Sequence, residues 1–148
     1  MKEYEIVKAS KKDIKDLAAL ASLLWPNHFV TDLETEFEEI VDCDSVAVYL
    51  ISIEKRPIGF AQCSLRNDYV EGTKSSPVGY LEGIFIKPAN RKKGYAKRLL
   101  AGCEKWAKEK GCEEFASDCE LTNEESLHFH LNMGFAEANR IICFTKKL

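Results

Sequence analysis

The sequence predicts a mixed α/β (α+β) fold, with one layer of mixed β-sheet and helices packed on both of its faces. The apolar patterns follow the order β-α-α-β-β-β-α-β-α-β, and no repeat or linker interrupts them. The chain has 148 residues and is 45% hydrophobic. That is enough for one packed core and too little for two, so we expect a single domain over residues 1–148.

The first third of the chain predicts one strand and two helices. Residues 4–9 alternate weakly, as in a strand, and Ser10 then offers a helix N-cap. The first helix has an apolar stripe and ends at Pro26, whose ring clashes with a further helical turn. Thr31 is the expected cap of the second helix. The apolar positions of the two helices are Ile14, Leu17, Ala18, Ala21 and Leu24, then Leu33, Phe37, Ile40 and Val41.

The second helix is acidic. Seven acids and no base lie between Asp32 and Asp44. They form either a solvated helix face or a negative field that concentrates a polycationic substrate.

The middle third predicts three neighbouring strands. Residues 45–53 and 57–66 are β-rich runs joined by Glu54-Lys55-Arg56, which predicts a hairpin. Residues 67–77 are polar and predict a surface loop, and residues 78–87 form the third strand.

The last third begins where Pro88-Ala89-Asn90 breaks that strand. A helix with apolar spacing then runs to about Lys110, and Gly111 stands where a left-handed C-terminal residue belongs. Residues 114–119 predict a short strand and residues 123–132 a short helix. Residues 135–147 predict a pair of closing strands or one bent ribbon.

Composition excludes several classes of function. The net charge of −3 and a pI of about 5.7 argue against nucleic acid as a partner, because such proteins need basic surface. No apolar run approaches the roughly 18 residues of a membrane span. Met1-Lys2-Glu3-Tyr4 lacks the apolar region of a secretory signal. The six scattered cysteines contain no CxxC, so we expect reduced thiols in a cytoplasmic protein.

Residues 81–96 contain the clearest chemical signal. A strand is followed by a basic, glycine-containing turn and then by an amphipathic helix. Helix N-termini expose unpaired N–H groups, and with Arg91, Lys92 and Lys93 beside them they suit a diphosphate. The alternative is an ordinary strand–turn–helix whose basic residues face water. Neither the P-loop pattern nor a dinucleotide fingerprint is present.

Arg91-Lys92-Lys93-Gly94-Tyr95-Ala96 resembles the (Q/R)-x-x-G-x-(G/A) pyrophosphate loop of the GNAT superfamily of N-acetyltransferases. The preceding strand and the later Asn123…Met133-Gly134-Phe135 resemble GNAT elements in the expected order. The resemblance implies the GNAT fold, with a mostly antiparallel mixed sheet, and acetyl-CoA as cosubstrate. It implies that backbone groups of Ile84, Phe85 and Ile86 bind pantetheine. It further implies coenzyme contacts from Lys92, Lys93, Gly94, Tyr95, Ala96, Lys97 and Asn123.

Five further blocks resemble aminoglycoside 6'-N-acetyltransferases: Trp25-Pro26-Asn27-His28, Arg66-Asn67-Asp68-Tyr69-Val70-Glu71-Gly72, Ser75-Ser76-Pro77, Leu81-Glu82-Gly83-Ile84 and Ala116-Ser117-Asp118. They imply acetyl transfer to the 6' amine of aminoglycoside antibiotics, and hence resistance. They also imply an aminoglycoside site lined by Trp25, His28, Tyr69, Glu82 and Asp118. Asn139 stands where some relatives carry a substrate-contacting glutamate. The alternative for Trp25 and His28 is that they are ordinary core residues, whereas beside a sugar-rich polycation an aromatic wall and a polar partner are useful.

Three side chains are candidates for acid–base roles. Glu82 precedes an interior glycine of a strand, which suggests a bulge or a close backbone approach, and it is the first choice for general base. Asp118 ends a predicted strand and is the second choice, or binds the cation. The alternative for both is a partnered structural acid. His130 stands where many GNAT enzymes carry a tyrosine general acid; it is either that acid or a hydrogen-bonded helix residue.

Three expectations complete the prediction. No metal is expected, because no ligand set with suitable spacing completes a site around the histidines. Residues 135–147 could pair across subunits, which favours a homodimer. Two other functions stay open: acetyl transfer to another amine, such as a polyamine or a peptide, and a non-catalytic module that binds acetyl-CoA or an aminoglycoside.

Overall fold

One five-stranded sheet forms the centre of the computed structural model, which describes residues 3–148. The strands lie in chain order, and all neighbours are antiparallel except the last pair, which is parallel. The mixed, mostly antiparallel sheet is thereby confirmed. The strands are β1 (Tyr4–Lys8), β2 (Val46–Ile53), β3 (Arg56–Arg66), β4 (Val78–Ile86) and β5 (Phe115–Ala116).

Helices cover both faces of the sheet, as predicted. The helices are α1 (Ile14–Leu24), α2 (Val30–Ile40), α3 (Tyr95–Glu109) and α4 (Glu124–Asn132), with 3₁₀ turns at Lys11–Asp13 and Pro88–Asn90. None of them is long and apolar enough to cross a membrane. The single domain over 1–148 stays a prediction, and Met1 and Lys2 lie outside the described residues.

The sheet separates two apolar cores. On one face, Leu17 of α1 and Phe37 of α2 pack with Phe60 of β3, all three at most 2% exposed. On the other face, Leu99 and Trp106 of α3 lie in the second core. Burying a side chain of this size contributes about 1.5–3 kcal/mol, so these stripes hold the helices against the sheet.

The turns follow from local backbone preferences. Glu54 and Lys55 have positive φ angles of 50° and 65°, as in the two-residue turn whose twist suits a hairpin, and Arg56 belongs to β3 rather than to the turn. Gly111 adopts φ 89° after α3, so the predicted left-handed residue is confirmed. Cys63, Cys103 and Cys112 are buried, as expected of small apolar side chains.

Two smaller predictions were wrong. Thr31 does not cap α2, because the helix begins at Val30 and the carbonyl of Phe29 accepts from the N–H groups of Asp32 and Leu33. The strand expected over residues 114–119 is only two residues long, since the chain leaves β4 after Ala116.

The C-terminal prediction was also wrong. Residues 135–148 contain no strand or helix. Ile142 and Phe144 are 80% and 87% exposed, and within the described residues this segment pairs with no strand of the sheet.

Candidate active site

A β-bulge places Glu82 at the centre of the site. In the pairing of β3 with β4, Gln62 lies opposite Gly83 and Cys63 lies opposite Leu81, so Glu82 is the extra residue on β4. A Cβ on Gly83 would lie 2.7 Å from a ring carbon of Trp25. The bulge and the close approach expected around this glycine are therefore both present.

One oxygen of the Glu82 carboxylate, Oε1, accepts three hydrogen bonds. Ser64 Oγ donates to Oε1 over 2.6 Å. Arg66 donates from Nε to Oε1 over 3.2 Å and from Nη2 to both oxygens over 3.0 Å. Bidentate arginine–carboxylate contacts of this kind fix geometry as well as charge.

Asp118 joins the same network through Tyr80. The Arg66 guanidinium carbon lies 3.4 Å from the centroid of the Tyr80 ring, and the Tyr80 hydroxyl donates to Asp118 Oδ2. Burial raises the pKa of Tyr80, and the hydrogen bond to Asp118 adds to the rise, so the phenol stays a donor at neutral pH. The structure thus brings together the two acids that the sequence singled out.

A cavity of about 370 Å³ opens beside the bulge. Trp25 and His28 line it, with ring centroids 6.4 Å apart. Two acids of α2, Glu36 and Glu39, and Gln62 of β3 lie on its wall. Residues 62, 64 and 66 alternate along β3 and so share one sheet face, which puts the Glu82 network and this cavity on the same side.

The acidic stretch of α2 therefore contributes to a cavity wall. Glu36 and Glu39 line the cavity and are also exposed to solvent, so their position fits both interpretations of the acidic stretch, whereas Glu38 is exposed outside the lining. An aromatic ring pair and carboxylates form a suitable surface for a cation.

Tyr69 and Asn139 lie elsewhere. Neither belongs to the lining of the Trp25–His28 cavity, and Tyr69 is 76% exposed. Asn139 Nδ2 donates to Glu71, which ties the C-terminal segment to the loop before β4.

His130 is held by hydrogen bonds at both ring nitrogens. Its Nδ1 lies 2.7 Å from the carbonyl oxygen of Ser126, which can only accept, so Nδ1 carries a proton. Its Nε2 lies 2.8 Å from Ser117 Oγ, next to Asp118 in sequence. In the neutral ring, Nε2 accepts from Ser117; in the charged ring, it donates to Ser117.

β4 and β5 separate before the residues of β4 that were predicted to bind the coenzyme. They pair only at Gly79 with Phe115 and at Tyr80 with Ala116. Along the described residues beyond this point, Ile84, Phe85 and Ile86 are therefore not paired with β5. Apart from the Ile86 carbonyl, which accepts from Arg91 Nε, the backbone groups on this edge are open to an extended ligand.

The basic turn before α3 is shaped to receive an anion. Lys92 and Gly94, just before α3, have positive φ angles of 62° and 86°. Turns with left-handed residues at a helix N-terminus favour N–H groups that converge on an anion. Arg91 Nε donates to the Ile86 carbonyl over 2.7 Å and so anchors the turn to β4.

The remaining residues predicted to bind the coenzyme differ in how far their side chains are exposed. Lys93 and Lys97 are exposed and Ala96 is half-buried, whereas Tyr95 is 3% exposed and packs against Tyr4, so only its backbone faces the turn. Asn123 caps α4, its side chain accepting from the Ser126 N–H over 3.0 Å.

Sequence reasoning assigned no role to Ser64, Arg66 and Tyr80, which contact the two acids, to Ser117, which contacts His130, or to Gln62, which lines the cavity. The alternation of Ser64 with Arg66 on β3 and of Tyr80 with Glu82 on β4 was the available signal, but it needed the register of the two strands and their bulge. Within residues 3–148, no group of three His, Cys, Asp or Glu side chains is placed to hold a metal ion.

Comparisons with known proteins find similar sequences and structures over most of the chain. The profile of the acetyltransferase (GNAT) family matches residues 17–135. An aminoglycoside N(6')-acetyltransferase type 1 from Salmonella enteritidis is 38% identical over 143 residues, covering 97% of this chain and 99% of the relative. One from Salmonella typhimurium is 41% identical, covering 86% and 88%.

Solved structures show the same likeness. AAC(6')-Iy in complex with the bisubstrate analogue CoA-S-monomethyl-acetylneamine superposes with a TM-score of 0.94 at 38% identity, covering 99% of both chains. AAC(6')-Ih from Acinetobacter baumannii superposes with a TM-score of 0.94 at 36% identity, with the same coverage.

Proposed function

The chain belongs to the acetyltransferase (GNAT) family, and on that premise we propose that it transfers the acetyl group of acetyl-CoA to the 6' amine of aminoglycosides. The observation that carries the proposal is the Glu82–Arg66–Tyr80–Asp118 network beside a cavity walled by Trp25, Glu36 and Glu39. Aminoglycosides are polycations with sugar rings, and this surface offers both carboxylates and an aromatic wall.

Glu82 is the proposed general base. Deprotonating an amine with a pKa near 10.4 costs about 4–5 kcal/mol at pH 7, and a carboxylate within reach lowers that cost by accepting the proton directly or through one water. Asp118 is the proposed second carboxylate that holds the cation. We keep Tyr69 and Asn139 as outer substrate contacts, reached from the loop before β4 and from the C-terminal segment.

The transfer then proceeds through a tetrahedral intermediate. The ammonium gives one proton to Glu82, and the freed electron pair forms the C–N bond while the carbonyl pair moves onto oxygen. A backbone N–H near Ile84 stabilises this oxyanion. Collapse breaks the C–S bond, the nitrogen loses its second proton to water, and the thiolate takes a proton from His130, for which the contact with Ser117 offers a path.

The coenzyme is placed along the separated edge of β4. Pantetheine lies beside Ile84, Phe85 and Ile86, and the pyrophosphate lies over the turn from Lys92 to Lys97, with Asn123 near the coenzyme. The open strand edge and the two left-handed residues of the turn support this placement.

We also propose that the protein is a homodimer. Residues 135–148 carry Ile141, Ile142 and Phe144 with exposures of 65–87%, and an apolar extended segment of this kind is typically covered by a partner. A second copy of the chain supplies an equivalent segment with which it can pair. Because the reaction consumes acetyl-CoA, we place the enzyme in the cytoplasm, where it would confer aminoglycoside resistance.

Release of coenzyme A thiol from acetyl-CoA tests the function. We expect rapid release with kanamycin and little with spermidine or a peptide amine. Faster release with spermidine or peptide would reassign the substrate. A melting-temperature rise with kanamycin but no release with any amine would make the protein a binding module.

A further inference from the structure

The guanidinium of Arg66 is held from two directions at once. Its edge donates to both oxygens of Glu82, and its face lies on the ring of Tyr80, which is only 6% exposed. A planar guanidinium can make both contacts together, which the ammonium of lysine cannot. Arg66 is therefore fixed in place by its surroundings.

The two carboxylate oxygens of Glu82 accept different numbers of hydrogen bonds. Oε1 accepts from Ser64 Oγ and from Nε and Nη2 of Arg66, whereas Oε2 accepts from Nη2 alone. A carboxylate oxygen has two principal acceptor directions. Oε1 is thus saturated, and Oε2 keeps one direction open.

We propose that Arg66 is a positioning residue for acetyl transfer. With Ser64 it occupies Oε1, so that Oε2 is the atom that receives the proton from the substrate ammonium, directly or through one water, while the electron pair stays on nitrogen. This inference rests on the proposed role of Glu82 as general base. Through Tyr80, the same guanidinium also sets the spacing between Glu82 and Asp118.

The competing role for Arg66 is that of a resident cation which the substrate displaces. Displacement would break the paired hydrogen bonds to Glu82 and uncover the face of Tyr80 at the same time. The two roles differ in kinetics, because a positioning residue acts on kcat whereas a displaced cation acts on KM.

Steady-state kinetics of Arg66→Met and Arg66→Lys with kanamycin separate these roles. We expect kcat to fall about 10- to 100-fold in both variants, since a misplaced base loses its near-attack geometry. We expect KM for kanamycin to change less than about threefold. Arg98→Met is the matched control: Arg98 also lies over a tyrosine ring, that of Tyr4 at 5.0 Å, but outside this network.

Two further measurements keep the test independent of folding. Ser64→Ala removes one hydrogen bond to Oε1 and should lower kcat in the same direction by a smaller factor. Added guanidinium ion should partly restore kcat to Arg66→Ala and leave Arg98→Ala unaffected. An unchanged kcat in Ser64→Ala, or an unchanged kcat with a lower KM in Arg66→Met, would overturn the proposal.

A crystal structure of Arg66→Met decides the point without any turnover. We expect the Glu82 carboxylate to leave its position beside Ser64; the same orientation as in the wild type would refute the positioning role. If the wild-type enzyme acetylates no aminoglycoside, the proposed function fails, whereas this structure still shows whether Arg66 orients Glu82.

Discussion

The charge of Glu82 is compensated within a partly shielded site. Its side chain is 26% exposed, and Arg66 supplies an opposite charge 3.0 Å away. Asp118 accepts from Tyr80, and Glu36 and Glu39 line the neighbouring cavity, so carboxylates outnumber the guanidinium of Arg66 among these residues, which favours a polycation.

Removing the carboxylate of Glu82 tests its role as base. Gln has nearly the same shape but cannot accept the proton, so we expect Glu82→Gln to lower kcat/KM by about 10²- to 10⁴-fold. Thiol release with kanamycin measures the effect. Glu104→Gln, on an exposed position of α3, should leave the rate unchanged. Equal rates in the wild type and Glu82→Gln would remove Glu82 from the reaction.

At the level of single residues, the sequence predicted the acids but not their partners. Glu82 and Asp118 stood out because one precedes a strand glycine and the other ends a strand pattern. Arg66 on β3 and Tyr80 on β4 contact each other across the two strands. Their contact depends on a register that the bulge at Glu82 shifts by one residue, and no local pattern encodes that shift.

Among the elements, the turn before α3 gives a sharp test of coenzyme binding. Gly94 and Gly111 have similar φ angles of 86° and 89°, and neither has an atom within 4 Å of an added Cβ. Each Gly→Ala change should therefore cost a similar amount of stability, about 1–2 kcal/mol.

The two glycine variants should differ in coenzyme affinity. We expect Gly94→Ala to raise KM for acetyl-CoA about tenfold, because the methyl group crowds the place of the pyrophosphate, a loss of about 1.4 kcal/mol. Gly111→Ala should leave that KM unchanged. The same KM for acetyl-CoA in both variants would show that the pyrophosphate does not bind at this turn.

The acidic helix α2 offers a second test. Glu36→Gln with Glu39→Gln removes two charges from the cavity wall and should raise KM for kanamycin about fivefold, with kcat nearly unchanged. Glu34→Gln with Glu38→Gln removes the same charge from positions of the helix outside the lining. An equal rise in both double variants would assign the effect to the overall field of the helix.

The elements themselves were largely predictable where local signals are strong. Backbone preference determines the Glu54-Lys55 turn and the left-handed Gly111. The helical spacing of apolar residues determines α3. The prediction of strands over residues 135–147 was wrong for the opposite reason. A strand needs a neighbouring edge, and within the described residues no strand of the sheet pairs with this segment.

At the scale of the whole molecule, this segment predicts an assembly. We expect the wild type to sediment as a dimer, and Ile142→Asp with Phe144→Asp to sediment as a monomer, because two buried charges oppose the contact. Leu23→Asp, which changes an apolar residue of α1 that is 58% exposed, should stay dimeric. A monomeric wild type at micromolar concentration would contradict the proposed homodimer.

The central claim is that this GNAT protein acetylates the 6' amine of aminoglycosides. Its most direct test is coenzyme A thiol release with acetyl-CoA and kanamycin, compared with an otherwise similar compound that has a hydroxyl in place of the 6' amine. We predict rapid release with the amine and almost none with the hydroxyl compound. Equal release with both would contradict transfer to the 6' position, and release with neither would contradict aminoglycoside acetylation itself.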